Sequence, residues 1–575
     1  MSEQEPLTFE IGLVMAGAVS AGAYTGGVVD FLMESLATWD RQKRAGDPGA
    51  PGHGVCIKVI TGASAGAITA AVLGSSLRDR DYPFAKPTPL YRTWVSEVDI
   101  DRLLGNGDLE NQAPVRSLLN SDALQDIAGK VLAQSWNRSD WPVYLADPLQ
   151  FYFTVTNLRG VPYAIQFGST GGDGEYGMTL HADHMHFSLS PAEAGGNCPP
   201  TALELGTAGN RDGLQQNWAV FKNSALASGA FPVGLAAQPL FRTGTWAYDL
   251  RPWAVPKEPP ADPDGSCRCT EFEQIEPAWP KTWPAGTDRD GFRYDFVNVD
   301  GGVANNEPFE IARRCLAGED GRNPRDAKEA CRAVLMVDPF PDDAAFQLDY
   351  DPMAQTSLLR VIPTLLSAMV SQLRFKAEEL VLARDPKVFS RWIISPRRWE
   401  TVDGSQRLAP YAIACGGLGG FGGFFAQAFR DHDYRLGRRN AQKFLRDTLV
   451  LHADNPLFAG WTAEQRQAFG LDRDDGRYLP VIPLLGDCAE VVPQPAWPAG
   501  AMTEQRYRDF TARLNARADK LIDGLNSPAV ITSYWERLLI TAGWNALKLR
   551  RFLVGKSLAD PIVAKIREDM TRRGL

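Results

Sequence analysis

The sequence predicts an α/β protein, a mainly parallel sheet with helices on both faces, followed by a mostly helical C-terminal region. Three observations predict it. Strand-like and helix-like stretches alternate from residue 8 to about residue 340. Residues 55–73, V-C-I-K-V-I-T-G-A-S-A-G-A-I-T-A-A-V-L, pass from a β-branched strand to an Ala-rich helix across Gly62-Ala63-Ser64-Ala65-Gly66. A later strand, F-R-Y-D-F-V-N-V over residues 292–299, runs directly into Asp300-Gly301-Gly302. The expected division is an α/β part over 1–341, with insertions near 165–215 and 253–291, and a helical part over 342–575 packed on it.

The elements follow in order. Residues 8–15 read as the first strand, and Val28, Phe31, Leu32 and Leu36 as one face of the helix after it. Residues 41–54 are a Pro/Gly-rich connection to the strand before Ser64, and 118–132 look helical. F-Y-F-T-V-T-N over 151–157 is another strand. Residues 165–215 are polar and Gly-rich, which predicts a solvated loop, and 253–291 read as a long surface loop. Residues 223–240 form a small-residue helix ending at Phe231-Pro232, a helix is expected from about 308 to 316, and 333–337 give a further strand. Past Pro341 the strand signal fades. Helices are expected over 357–383 and 531–554, and Tyr507, Phe510, Leu514, Ala518, Leu521 and Leu525 make an apolar helical stripe.

Composition narrows the class. The chain has 575 residues, 44% hydrophobic and 22% charged, in the range of soluble globular proteins. A net charge of −9 gives no overall attraction to nucleic acid. Eight cysteines are scattered without C-x-x-C spacing, which reads as free thiols in a reducing compartment. The acidic N-terminus lacks the basic start of a secretory signal, and no window holds about 18 uninterrupted apolar residues. The expected location is the cytoplasm.

The chemistry gathers at Ser64. A serine on so sharp a strand-to-helix turn sits in strained backbone with its hydroxyl exposed, at a helix N-terminus that favours developing negative charge. The small residues Gly62 and Gly66 let strand and helix approach closely. A serine nucleophile needs a base within hydrogen-bond reach. The chain has only six histidines. None sits where a strand end aims it at Ser64. Asp300 does end a strand, and Gly301 and Gly302 clear space around it. In the expected parallel sheet the C-terminal strand ends gather on one edge, beside the loops that bind ligands, which brings Ser64 and Asp300 together without a histidine. The loop Gly17-Ala18-Val19-Ser20-Ala21-Gly22 offers backbone N–H groups to an anion. It matches neither G-x-G-x-x-G nor the P-loop pattern. His181, His184 and His186 form an H-x-x-H-x-H, open to a metal reading but without a carboxylate or Cys at supporting spacing; no metal site is expected.

Three blocks resemble the patatin-like phospholipases: 62–66 with its strand and helix, Asp300-Gly301-Gly302 with V-A-N-N-E-P after it, and 17–24. Residues 154–160 and 228–232 are similar to two weaker blocks, and the likeness spans roughly 8–340. Residues 430–445 look like a stretch of larger bacterial members. The resemblance implies a patatin-like sheet, a Ser64–Asp300 dyad, hydrolysis of acyl esters in phospholipids or other lipids, and no metal or other cofactor. It implies an oxyanion hole from the amides of Gly17, Ala18 and Val19. The family's loop is usually G-G-G-x-R-G; here the arginine is absent and Val19 carries a β-branched side chain. A weakly active or non-catalytic lipid-binding relative is therefore an alternative, and a His-containing triad is a third reading.

Two features remain. A-C-G-G-L-G-G-F-G-G-F-F over 414–425 is too Gly-rich for a stable helix and too apolar for an ordinary loop. With Leu418, Phe421, Phe424 and Phe425 it is either core or a segment entering a membrane surface beside Arg430, Arg435, Arg438 and Arg439. The R-D-H-D-Y-R-L-G-R-R run after it reads first as an ion-pair cluster that anchors the segment.

Overall fold

The computed structural model describes residues 7–112, 114–132, 136–166, 175–191, 198–206, 212–256, 272–318, 321–340, 387–526 and 559–575, with isolated positions between 341 and 386. The helices expected over 357–383 and 531–554, and Cys267 and Cys269, lie outside the described residues.

In chain order the elements that shape the molecule are β1 (Thr8–Met15), α1 (Gly22–Arg44), β2 (Gly54–Gly62), α2 (Ala65–Ser76), α3 (Asp122–Leu132), β3 (Leu145–Gln166), β4 (Glu175–Leu189), β5 (Leu203–Leu205), α4 (Asp212–Ser228), β6 (Gln238–Thr243), β7 (Arg293–Val299), α5 (Phe309–Ala317), β8 (Arg332–Val337), β9 (Arg391–Ile394), α6 (Gln427–Asp447), α7 (Glu504–Leu525) and α8 (Asp560–Arg573). One nine-stranded sheet runs β9-β8-β1-β2-β3-β4-β5, with β7 paired to β3 and β6 to β7. The strands from β9 to β3 are mutually parallel. β4 is antiparallel to β3, as β7 is to β3 and β6 to β7.

Alternation along β1 divides the core between the two faces of the sheet. Phe9, Ile11, Leu13 and Met15 join the large cluster that includes α1, α2 and α6 residues. Val14 joins Val59, Val334 and Met336 against Phe309, Ala312 and Leu316 of α5. Helix α1 is buried around nearly its whole girth because α6 covers the side away from the sheet. The two helices touch through glycine: a Cβ at Gly437 would sit 2.2 Å from the Tyr24 carbonyl oxygen, and one at Gly27 would sit 1.9 Å from that of Tyr434. Buried Asp30 of α1 ties the pair together, accepting hydroxyl bonds from Tyr82 at 2.9 Å, Thr88 and Tyr434 of α6, both at 2.5 Å.

Four expectations are corrected. Residues 253–291, expected as a long surface loop, contain an antiparallel strand pair, 253–256 with 272–275. Residues 175–189 are not a solvated loop but strand β4 of the main sheet. Their polar composition conceals burial because the polar groups are paired. Asp183 is buried among Arg242, Arg251 and the Tyr248 hydroxyl. Burial would raise its carboxyl, but the two guanidiniums hold it down to about 2. The helix expected over 223–240 begins earlier, at Asp212, and ends at Ser228, and 238–243 become β6. Beyond 341 the chain still supplies strands: β9 extends the main sheet, and a three-stranded sheet forms within 450–480. These strands are three to five residues long, too short to show alternation. The long elements of the described C-terminal part are α6, α7 and α8, and Tyr507, Phe510 and Leu521 of the expected stripe are buried.

Gly437→Ala is expected to lower the melting temperature, because the added methyl must push α6 off the α1 backbone at a cost of about 1–3 kcal/mol. The control Gly129→Ala, in α3 with open space around its Cβ position, is expected to leave stability unchanged or raise it by about 0.5–1 kcal/mol. Thermal melts of both variants check the pair.

Candidate active site

The site forms where two strands meet end to end. β2 pairs with β3 up to Gly62 opposite Phe153. β3 continues, and β7 pairs with that extension from the opposite direction, Val299 opposite Thr156. The other edge of β3 is occupied by β4 over the same residues, so β2 and β7 lie along one edge. Their C-terminal ends face each other across two residues of β3, and each is followed by a chemical group.

Ser64 leaves β2 with φ 51° and ψ −123°, a backbone state that costs a non-glycine residue about 1–3 kcal/mol and persists only where the surroundings enforce it. Its N–H donates to Ser228 Oγ at 2.8 Å. The first turn of α2 passes so close to the end of β1 that a Cβ on Gly66 would lie 2.1 Å from the Met15 carbonyl oxygen. Asp300 is fixed by its own backbone: its N–H donates to the Ala230 carbonyl at 2.9 Å, and its carbonyl accepts from Thr156 Oγ1 at 2.8 Å. Its Oδ1 accepts the Gly302 N–H at 2.7 Å, and its Oδ2 accepts the Ser64 hydroxyl at 2.7 Å. Gly301 packs against the Thr154 carbonyl, 2.1 Å from where its Cβ would be. Burial pushes the Asp300 carboxyl up to about 6, against the Ser64 and Gly302 hydrogen bonds that favour its ionised form.

Residues 13–313 match the patatin-like phospholipase family. The chain is 37% identical over 557 residues to an uncharacterized protein, y4iI, of Sinorhizobium fredii (strain NBRC 101917 / NGR234), covering 90% of this chain and 76% of that one. The chain belongs to the patatin-like phospholipase family. The crystal structure of VipD from Legionella pneumophila aligns with 100% of this chain and 89% of its own at 12% identity and a TM-score of 0.24, too weak a likeness to bear on the site.

Within this patatin-like framework the antiparallel direction of β7 corrects the expected reason for the meeting. Asp300 does not end a strand parallel to β2; it ends one that comes the other way. The loop 17–22 lies beside the serine: a Cβ on Gly17 would be 3.2 Å from Ser64 Cβ. The Gly17 N–H, however, donates to the Asn306 carbonyl at 3.2 Å and is not free for an oxyanion. The amides of Ala18 and Val19 make no hydrogen bond among the described residues. Val19 has φ 47° and its side chain lines the pocket with Ser64.

That pocket is almost wholly apolar. It runs from Ser64 and Asp300 along α2, past Ile68, Ala71 and Val72, and reaches Ile127 of α3, Ala225 of α4 and Trp94. Phe421 and Phe424 close one side. Of the two expectations for the Gly-rich segment the core one holds: Phe424 and Phe425 are buried in the main cluster, Leu418 and Phe421 pack against it, and Phe421 and Phe424 also form pocket wall. Of the basic run behind it only Arg430 holds the segment; the other arginines tie α6 to itself and to other elements. Arg430 is buried and donates to the carbonyls of Gly423 and Val95, Arg435 pairs with Asp431, Arg438 with Glu34, and Arg439 donates to the Val492 carbonyl.

None of the six histidines hydrogen-bonds Ser64. His186 bonds Gln150 and Thr201, and burial pushes its imidazole down to about 3. His184 meets Arg251 Nη1 at 3.0 Å and His181 meets the Asn157 carbonyl at 2.7 Å. Among the described residues no group of three or more His, Cys, Asp or Glu could hold a metal. No described helix is long and apolar enough to cross a membrane. The sequence reading missed Ser228 and Asn306 as site-builders; Ser228 lies in one of the weaker resembling blocks and Asn306 in the block that follows Asp300, and membership in a block carries no geometry.

The raised Asp300 carboxyl has a stability consequence. Its folded value, about 6, exceeds the ordinary 3.8, so the folded state binds more protons between those values and stability falls as pH rises through that window. Asp300→Asn keeps the shape and removes the buried charge. It is expected to be more stable than wild type above pH 6 or so, by about 3 kcal/mol at most, with the advantage gone below about pH 4. Denaturant unfolding at a series of pH values checks this.

Proposed function

We propose that the protein is a metal-independent acyl-ester hydrolase acting on phospholipids or other lipids with long acyl chains. The single observation that carries the reading is the 2.7 Å hydrogen bond from the Ser64 hydroxyl to Asp300 at the head of an apolar pocket. Asp300 takes the Ser64 proton as the hydroxyl attacks the ester carbonyl. The tetrahedral oxyanion is met by the amides of Ala18 and Val19, aided by the N-terminus of α2. The alcohol leaves, taking the proton back from Asp300, and water then attacks the acyl-enzyme with Asp300 again as base. A base that must be ionised gives activity that rises with pH through an apparent pKa near 6.

Pocket length supports a lipid acyl chain. From Ser64 to Ser75 the pocket follows α2 for about 16 Å at 1.5 Å per residue. One leaflet of a bilayer's hydrocarbon core is about 15 Å deep. Phe231 of the pocket lining stays exposed, as do Leu118 and Val233, the neighbours in sequence of the lining residues Leu119 and Gly234, and Leu118 and Val233 are joined by a backbone hydrogen bond of 2.9 Å. This rim, and not Phe424 or Phe425, is the part that meets a lipid surface.

Ser64→Ala is expected to abolish hydrolysis of a long-chain ester and labelling by a fluorophosphonate probe, with the melting temperature preserved. Retained turnover would sink the reading. Ala71→Phe, which fills the pocket midway, is expected to lower kcat/KM for long-chain esters by more than about tenfold, while a short ester is spared. Val233→Ser with Leu118→Ser is expected to weaken sedimentation with phospholipid vesicles and leave short-ester hydrolysis intact.

A further inference from the structure

Residues 414–425 lie outside the stretch that matches the family, yet they touch the loop beside Ser64. Ser20 makes the contact. It is fully buried, its hydroxyl donates to the Gly420 carbonyl, and its oxygen accepts the Gly423 N–H at 3.0 Å. One hydroxyl thus joins the loop 17–22 to two backbone points of the Gly-rich segment.

The loop needs such a hold. Val19, immediately before Ser20, is a β-branched residue at φ 47°, a state that reverts unless the surroundings enforce it. On the upstream side the loop is tied by Ala16 N–H to the Val337 carbonyl and Gly17 N–H to the Asn306 carbonyl. On the downstream side the Ala21 N–H donates to the Ala18 carbonyl at 2.8 Å as the chain runs into α1, and Ser20 is the side-chain tie to the C-terminal region. Gly420 also presses on Val19 itself: a Cβ there would lie 3.2 Å from Val19 Cβ.

The segment is rigid enough to serve as an anchor. Both oxygens of buried Asp433 accept its first amides, Ala414 N–H and Cys415 N–H, at 2.8 Å each. Asp569 of α8 accepts the Leu418 N–H at 3.1 Å. Arg430 holds the Gly423 carbonyl at 2.6 Å. Its left-handed stretch, Leu418 to Gly420 with φ 53°, 65° and 95°, is held at both ends, which speaks against a moving lid.

We infer that Ser20 is a positioning residue for the oxyanion loop, clamping the Ala18 and Val19 amides in place against the 414–425 segment, so that the C-terminal region completes the catalytic centre. The clamp stands where the family pattern has its arginine-bearing loop; Ala21 occupies the arginine's place and offers no side-chain bond. This inference rests on the hydrolase reading for its effect on rate, but the clamp itself can be tested without it.

The experiment uses the full chain with Ser20→Ala, and with Asp433→Asn, which loosens the same segment from its far side without touching the pocket. Two readouts are taken: short-ester kinetics, and hydrogen–deuterium exchange of the peptide covering residues 16–22. The expected result for Ser20→Ala is faster exchange over that peptide and a kcat about ten- to a hundredfold lower, as for sub-ångström to 1 Å misplacement of catalytic donors. KM stays within about twofold of wild type, and Ser20→Thr, which keeps the hydroxyl, restores part of the rate. Asp433→Asn shifts both readouts the same way by a smaller amount. Wild-type exchange over 16–22 in folded Ser20→Ala overturns the clamp. Faster exchange with unchanged kcat overturns its positioning role. If wild type neither hydrolyses esters nor reacts with the probe at Ser64, the hydrolase reading falls and the exchange comparison alone decides the clamp.

Discussion

The extra length of β3 is the constraint on which the site depends. Because β3 outruns β2, an open stretch of strand edge remains beyond Gly62, and its unpaired N–H and C=O groups need partners. β7 supplies them from the opposite direction. The end of β7 then lies against the end of β2, and the hydroxyl of Ser64 meets the carboxylate of Asp300 at 2.7 Å. Thr156 of β3 also accepts a role in the join by donating to the Asp300 carbonyl. No third side chain stands between the two, since they meet directly.

Around this join the protein accepts local strain and buried charge in exchange for a fixed geometry. Ser64 and Val19 both hold left-handed backbone without being glycine. Asp300 has no cationic neighbour among the described residues and is satisfied by a hydroxyl and an amide. Such arrangements destabilise the fold locally and persist because packing leaves no alternative. The stabilising counterweight is the contact of α1 with α6, where glycine on each helix brings backbone against backbone and Asp30 gathers three hydroxyls.

The C-terminal region is accordingly part of the site and not an appendage to it. Phe421 and Phe424 wall the pocket, Phe421 meets Phe231 edge-on at 5.7 Å, and α6 carries the arginine and aspartate that hold their loop. Side chains that read in sequence as candidates for a membrane surface are turned inward because their glycine neighbours let the backbone press against the Val19 loop.

The sequence by itself determined the local chemistry. The strand, sharp turn and helix around Ser64, the strand running into Asp300, and the α/β alternation were all legible, because periodicity and turn residues act over a few neighbouring positions. β1 falls on the residues expected for it, and β8 begins one residue earlier. Tertiary structure decided the rest. That β7 runs antiparallel, that polar β4 lies inside the sheet with Asp183 paired to two arginines, that Gly17 gives its amide to Asn306, and that Ser20 reaches Gly420 and Gly423 all depend on partners far away in the chain. Hydrogen-bond partners at such separation leave no periodic trace, since one hydroxyl or amide looks the same in sequence whether it meets water or a carbonyl 400 residues on.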